Sequence, residues 1–193
     1  MKLIALILII IIALGAAFGG DFIFKEIDEA VYPQEYAESV STYSAKYNIP
    51  EPLIYAIIKV ESNFDPLAES SAGARGLMQM TETTFKWLTG SSHLGEHLPF
   101  EALFIPDVSI RYGTYYLSYL LRQFDHNTDT VLAAYNAGET RVREWLDDSE
   151  YADGNGGLSK IPFAETRNYV KKVNKAIDKY KELYYKENEG VLT

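Results

Sequence analysis

The nine residues from Pro52 to Val60, PLIYAIIKV, carry one charge, on Lys59. Apolar side chains at Leu53, Ile54, Ala56, Ile57, Ile58 and Val60 make a helix here apolar on several faces, not along one stripe. A helix of that kind is stable only when other elements surround it, so the rest of the chain must supply a shell. Pro52 suits the first turn, and the predicted helix runs to about Ser62. Glu61 is the odd residue, a carboxylate placed directly after the last apolar side chain. Burying an ionised carboxylate is costly, so its position needs a reason.

The shell reads as further helices. Tyr36, Val40, Tyr43 and Tyr47 share one side of a helix that NIPEP ends. SNFDPLAESSAGARG reads as a loop, LMQMTETTFKWLTG as a short helix closing near Gly90, and residues 90–106 as a polar loop with Pro99 and Pro106. In DVSIRYGTYYLSYLLRQF, the residues Val108, Tyr112, Tyr115, Tyr116, Tyr119, Leu120 and Phe124 can face one core. For Tyr115, Tyr116 and Tyr119 the preferred role is helix packing. Thr128 or Asp129 is placed to cap DTVLAAYNAG, which stops at Gly138. ETRVREWL forms another helix, DDSEYADGNGGLSKIP a loop, and a final helix spans about Phe163 to Lys186, its lysines on a solvated face. No segment alternates as a strand and no repeat is visible, so the expected fold is all-α in a single domain.

Composition narrows the function. A chain of 193 residues with 47% apolar and 13% aromatic content supports one folded domain. A formal charge of −9 speaks against nucleic-acid binding, which needs a basic surface. With no cysteine, thiolate nucleophiles, thiolate metal sites and disulfides are excluded. His93 and His97 sit four apart in HLGEH, which lacks the helical zincin order, so no metal site is expected. The first twenty residues, MKLIALILIIIIALGAAFGG, have no polar face and read as a signal peptide or signal anchor, with Lys2 favouring export of the remainder. Residues 21–38 then form a juxtamembrane linker or short helix, 39–187 the main domain and 188–193 a tail.

The chemistry centres on Glu61. The negative end of a helix and apolar surroundings both disfavour the ionised form, so its pKa should rise, as a general acid requires. Taken alone, a glutamate closing a helix is most often solvent-exposed. Its neighbours change the balance. GARGLMQM permits close backbone approach to a ligand, AAYNAG sets Tyr135 and Asn136 among small residues, and IPFAETRNYV puts Glu165 and Tyr169 one helical turn apart.

Together ESNFDP, GLMQM, AYNAG and IPFAETRNYV, in that order and spacing, resemble the signature motifs of the Slt-type (soluble lytic transglycosylase-like) family of peptidoglycan-cleaving enzymes. FIPDVSIRYGTYYLSYLL resembles the family's connecting helix, with Ser109 where asparagine is usual, and the likeness spans about residues 39–183. The resemblance implies a lysozyme-like helical domain with a glycan-binding groove. It implies that Glu61 is the only catalytic acid and base, with Ser62 and Tyr169 positioning the acid or the reacting sugar. Met78 and Gln79 would line the groove, Tyr135 and Asn136 would contact substrate, and Glu165 would join them or merely cap its helix. No cofactor or metal is implied.

The implied reaction is non-hydrolytic cleavage of the MurNAc–GlcNAc β-1,4 bond in peptidoglycan glycan strands, leaving 1,6-anhydro ends. Its rivals are a hydrolytic muramidase on the same fold, an inactive glycan-binding module and a membrane-tethered structural protein. Asp65 and Glu69 are the nearby candidates for a second carboxylate, but Asp65 precedes a proline in a turn and Glu69 sits in a polar loop. The expected protein is an exported monomer of the cell envelope, in contact with the membrane only through its N-terminal segment. Whether it cuts within strands or from their ends depends on loops 90–106 and 147–162.

Overall fold

The computed structural model describes residues 25–90 and 92–185. The apolar N-terminal run and the C-terminal tail therefore lie outside the described residues. Residues 34–180 form one compact unit. In the other unit, residues 25–31 are helical and Lys181–Tyr185 make a wide π-helical turn, where the Tyr184 hydroxyl donates to the Tyr32 carbonyl at 2.8 Å.

The main unit contains α1 (Ala37–Tyr47), α2 (Glu51–Glu61), α3 (Glu82–Thr89), α4 (Pro106–Gln123), α5 (Thr128–Ala137), α6 (Glu139–Leu146) and α7 (Ala164–Tyr180). A single 3₁₀ segment, Phe100–Phe104, precedes α4. Among the described residues there is no strand, only isolated bridges such as Glu69 with Arg75 and Arg75 with Met80. The all-α expectation holds, and no described helix is long and apolar enough to cross a membrane.

The apolar helix is central. Every residue of α2 from Pro52 to Ile58 is buried, and its most extensive partner is α7. Helix α7 answers with the stripe Thr166, Tyr169, Val170, Val173, Ala176, Ile177 and Tyr180. Helix α5 packs on the same long helix, and α1 packs on α4. The second junction is fastened by Asp107 in the first turn of α4, whose two oxygens accept from Ser39 Oγ and Tyr43 Oη, each at 2.8 Å.

Local chemistry moves several boundaries. Leu77–Met80 is not helical: Gln79 adopts φ +46°, and the helix starts only after Thr81, whose hydroxyl accepts from the Thr84 amide at 3.3 Å. Pro106 is not in the loop but opens α4, where a missing N–H costs nothing. Neither Thr128 nor Asp129 caps α5; Asn127 does, accepting from the Thr130 amide at 3.0 Å. On α4, Val108, Tyr115 and Tyr119 are only half-buried, while Ser109, Ile110, Gly113, Thr114 and Leu117 join the core, so the buried face is wider than the spacing suggested.

Candidate active site

Glu61 is the last residue of α2, where the apolar run has carried it to the edge of the core. Burial raises its pKa from the ordinary carboxylate value to about 7, and a hydrogen-bonding influence from Tyr169 opposes the rise. No charged group contributes to the shift. The acid is therefore held in apolar surroundings and not pushed up by a neighbouring carboxylate.

Tyr169 reaches the acid from α7. Its hydroxyl is buried and has no hydrogen-bond partner of good geometry among the described residues. It is still close enough to lower the pKa of Glu61, while burial first and Glu61 second push the phenol's own pKa far up. The contact is a near hydrogen bond, a geometry that commonly tightens when substrate binds.

The wall beside the acid is the turn Gly76–Met80, which is fixed almost entirely through its backbone. Ser62 Oγ donates to Leu77 O at 2.8 Å and to Ile58 O at 3.1 Å, tying the end of α2 to the turn. Ser62 thus braces the acid's own helix. The Met78 amide donates to Ser109 Oγ at 3.1 Å, and the Met78 carbonyl accepts from Tyr135 Oη at 2.8 Å. Gln79 Nε2 donates to Ala68 O and Gly76 O, each at 3.0 Å. Gly76 is obligatory at φ +77°, because a Cβ there would lie 2.0 Å from the Leu103 carbonyl oxygen.

The expected groove contact from Met78 is not present: the side chain is wholly buried, with its sulfur against Gly113, and what it fixes is the turn. Gln79 is half-buried beside it. Tyr135 is half-buried, and burial, Glu61 and Tyr116 together push its pKa well above the usual value. Asn136 is half-buried one residue on, near the end of α5. Glu165 is exposed in the first turn of α7, favourable for a carboxylate at a helix N-terminus. Ser109 is the residue that sequence reasoning undervalued. Its replacement of the family's usual asparagine signalled packing, whereas its hydroxyl holds the turn beside the acid.

Neither candidate second carboxylate joins Glu61. Asp65 Oδ1 accepts from the Leu67 amide at 2.9 Å in a local turn, and Glu69 pairs with Arg75 at 3.1 Å. Arg75 also pairs with Glu101 at 3.2 Å and lies over the Phe100 ring at 4.5 Å. Among the described residues no cluster of three or more His, Asp or Glu side chains could hold a metal ion. His93 instead packs on Trp87, with ring centroids 4.0 Å apart.

A half-buried acid that neither Asp65 nor Glu69 joins, a facing tyrosine and a backbone-clamped Gly-Leu-Met-Gln turn make a distinctive combination. The family model described as the transglycosylase SLT domain matches residues 38–156. The chain belongs to the SLT transglycosylase domain family. It is 37% identical over 146 residues to the soluble lytic murein transglycosylase of Escherichia coli K12, a match covering 75% of this chain and 23% of that relative. It is 33% identical over 167 residues to the membrane-bound lytic murein transglycosylase C of Klebsiella pneumoniae, covering 76% of this chain and 46% of the relative. In structure it is similar to the 70 kDa soluble lytic transglycosylase of E. coli, with TM-score 0.74 and 34% identity, across 82% of this chain and 26% of that one. It is likewise similar to an inactive mutant of the lytic transglycosylase Slt of Pseudomonas aeruginosa, with TM-score 0.69 and 35% identity over 78% of this chain and 24% of that one. The chain thus spans about a quarter of the soluble relative's length, and the shared part is the lysozyme-like helical domain.

Proposed function

We propose that this chain is a peptidoglycan lytic transglycosylase that cleaves the MurNAc–GlcNAc β-1,4 bond and leaves 1,6-anhydro-MurNAc ends. The observation that carries this reading is a single carboxyl group, Glu61, whose pKa burial raises to about 7 with no carboxylate among the described residues contributing to the shift. Most glycosidases need two carboxylates flanking the bond, so a lone acid favours a route in which the substrate supplies its own nucleophile.

In the proposed reaction, protonated Glu61 donates its proton to the glycosidic oxygen and the anomeric C–O bond breaks. The 2-acetamido oxygen of MurNAc bonds to the anomeric carbon and carries the positive charge as an oxazolinium. Ionised Glu61 then takes the proton of the C6 hydroxyl as O6 attacks the same carbon and displaces the acetamido oxygen. The acid ends protonated, and no water is consumed. A pKa near 7 suits both halves of this cycle, because near neutral pH the same group can hold a proton to give and, once ionised, take one back, each transfer coupled to the C–O bond that breaks or forms. Tyr169 orients the carboxyl, Gln79, Tyr135 and Asn136 border the bound strand, and Ser62 and Met78 hold the framework.

The membrane-bound relative supports placing the chain in the cell envelope, with residues 1–20 as signal or tether. The test is digestion of purified sacculi followed by mass analysis of the soluble fragments. Products one water lighter than reducing-end muropeptides support the reading. Reducing ends would make the protein a muramidase, and the absence of soluble fragments would make it a binding module.

A further inference from the structure

The buried stripe of α7, from Thr166 to Tyr180, packs on α2 and α5 and carries Tyr169 to the acid. The opposite side of the same helix belongs to lysine. At 3.6 residues per turn, Lys171, Lys172, Lys175 and Lys179 fall within an arc of about 100° facing away from the buried stripe, along about 12 Å of the axis. Lys171, Lys172 and Lys175 are exposed and Lys179 is half-buried.

This charge runs against the balance of the chain. Helix α7 holds five basic and two acidic side chains, whereas the whole protein holds 18 and 27. It is also left uncompensated. Lys25, Lys86 and Lys160 pair with Glu29, Glu82 and Glu150, but among the described residues Lys171, Lys172 and Lys175 have no ion-pair partner. The nearby acids stand aside: Asp178 sits at the edge of the lysine arc, and Asp129 of α5 accepts from Asn174 at 2.7 Å. The helix's arginine, Arg167, is engaged with the Ile161 and Pro162 carbonyls at 2.7 and 2.6 Å. What remains is a row of point charges on flexible stems. Such a row suits a flat, diffuse anionic surface better than a single phosphate, which calls for fixed, convergent donors.

A surface of that kind lies within reach. If residues 1–20 stay in the bilayer, only residues 21–33 separate it from the main unit, at most about 45 Å of chain and comparable to the width of a domain of this size. A domain so tethered meets the bilayer at high effective concentration. Charge then selects the side that turns towards it, since anionic headgroups attract the lysine row and repel the acidic remainder.

We infer that the outer face of α7 is a membrane-docking surface, on which Lys171, Lys172, Lys175 and Lys179 rest against the headgroups of anionic phospholipids. The inference rests on reading residues 1–20 as a retained tether, and not on the reaction at Glu61. Docking through the outer face leaves the contacts of Tyr169 and Glu61, on the inner face, undisturbed.

The test places the full chain in vesicles of phosphatidylcholine alone and of phosphatidylcholine mixed with phosphatidylglycerol. Brief lysine acetylation followed by mass spectrometry reads each side chain, with exposed Lys46 of α1 and Lys86 of α3 as references. In the mixed vesicles Lys171, Lys172 and Lys175 should react at least about fivefold more slowly, the scale of one lysine's attraction to an anionic surface. Salt at about 1 M, where the screening length is about 3 Å, should restore their rates. In the variant Lys171→Gln, Lys172→Gln, Lys175→Gln, the protection of Lys179 should disappear while cleavage of soluble glycan fragments is unchanged. Equal rates in the two vesicles would overturn the docking surface, and so would equal protection by soluble polyphosphate, which would assign the row to a soluble polymer. A chain that does not stay with phosphatidylcholine vesicles would remove the tether and the inference with it. None of these readouts depends on turnover, so the glycan reading stands or falls separately.

Discussion

The buried hydroxyl of Tyr169 lies near enough to Glu61 for each to shift the other's pKa, and it has no hydrogen-bond partner of good geometry among the described residues. Helix α7 carries Tyr169 and helix α2 carries Glu61, and these two pack most extensively on one another, which fixes the distance between them. Removing the hydroxyl in Tyr169→Phe keeps the ring in the core and deletes the influence that lowers the acid's pKa. The basic limb of the pH–rate profile should then move to higher pH, because Glu61 keeps its proton longer. Turnover at neutral pH should fall about tenfold from lost orientation of the carboxyl. A pH profile of kcat/KM checks the sign; an unmoved limb would show that the hydroxyl does not reach the acid.

Glu61→Gln should reduce turnover by ~10² to 10⁴-fold, the usual contribution of a positioned general acid. It should also stabilise the protein in a pH-dependent way. The folded-state pKa of about 7 lies above the ordinary 4.5, so the unfolded chain ionises first as pH rises. Stability from this group is full below about pH 4.5, declines as pH rises to about 7, and is lost above it. Glutamine does not titrate, so its advantage should be absent at pH 4 and reach on the order of 3 kcal/mol at pH 8. Denaturant melts of both proteins at the two pH values measure it.

The helices, their order and the acid were legible in the sequence because the information is local. The run Leu53–Val60 can only be central, and the placement of Glu61 at its end follows from counting. What was not legible depends on partners far along the chain. The turn at Leu77–Met80 looked helical because its residues are helix formers, but Ser62, Ser109 and Tyr135 capture its peptide groups from three separate helices or their ends. The groove role of Met78 came from the family resemblance alone, and only the fold shows Gly113 making room for its side chain in the core.

The Met78 peptide is held at both ends, its amide by Ser109 and its carbonyl by Tyr135. Ser109→Ala leaves a buried N–H without an acceptor, a loss of about 1–3 kcal/mol. In a chain of this length that lowers Tm by roughly 2–4 °C per kcal/mol. Because the freed turn also carries Gln79 and supports Tyr135, kcat should fall more than the small loss of folded protein explains. Ser109→Thr, which keeps the hydroxyl, should recover part of the activity. Thermal melts and kinetics on the same preparations separate the two effects. Equal activity per folded molecule in Ser109→Ala would confine Ser109 to packing.

Gly76→Ala probes the same turn by steric means. The new Cβ would sit 2.0 Å from the backbone oxygen of Leu103 and 2.9 Å from Ser109 Oγ, at a φ of +77° that L-residues rarely adopt. Neither the Leu103 backbone nor the 3₁₀ segment it belongs to can withdraw without opening the core beneath. The substitution should therefore cost upwards of about 2 kcal/mol, more than the ordinary surface change. Gly73→Ala is the control: it has a similar positive φ of +74° but nothing within 4 Å of the added Cβ, so it carries the backbone strain without the clash. If the two variants unfold at the same denaturant concentration, the close approach of Leu103 to the turn is wrong. If Gly76→Ala alone is strongly destabilised and loses activity even where it remains folded, the turn's exact seating beneath Leu103 is what keeps Gln79 and the Met78 carbonyl in register with Glu61.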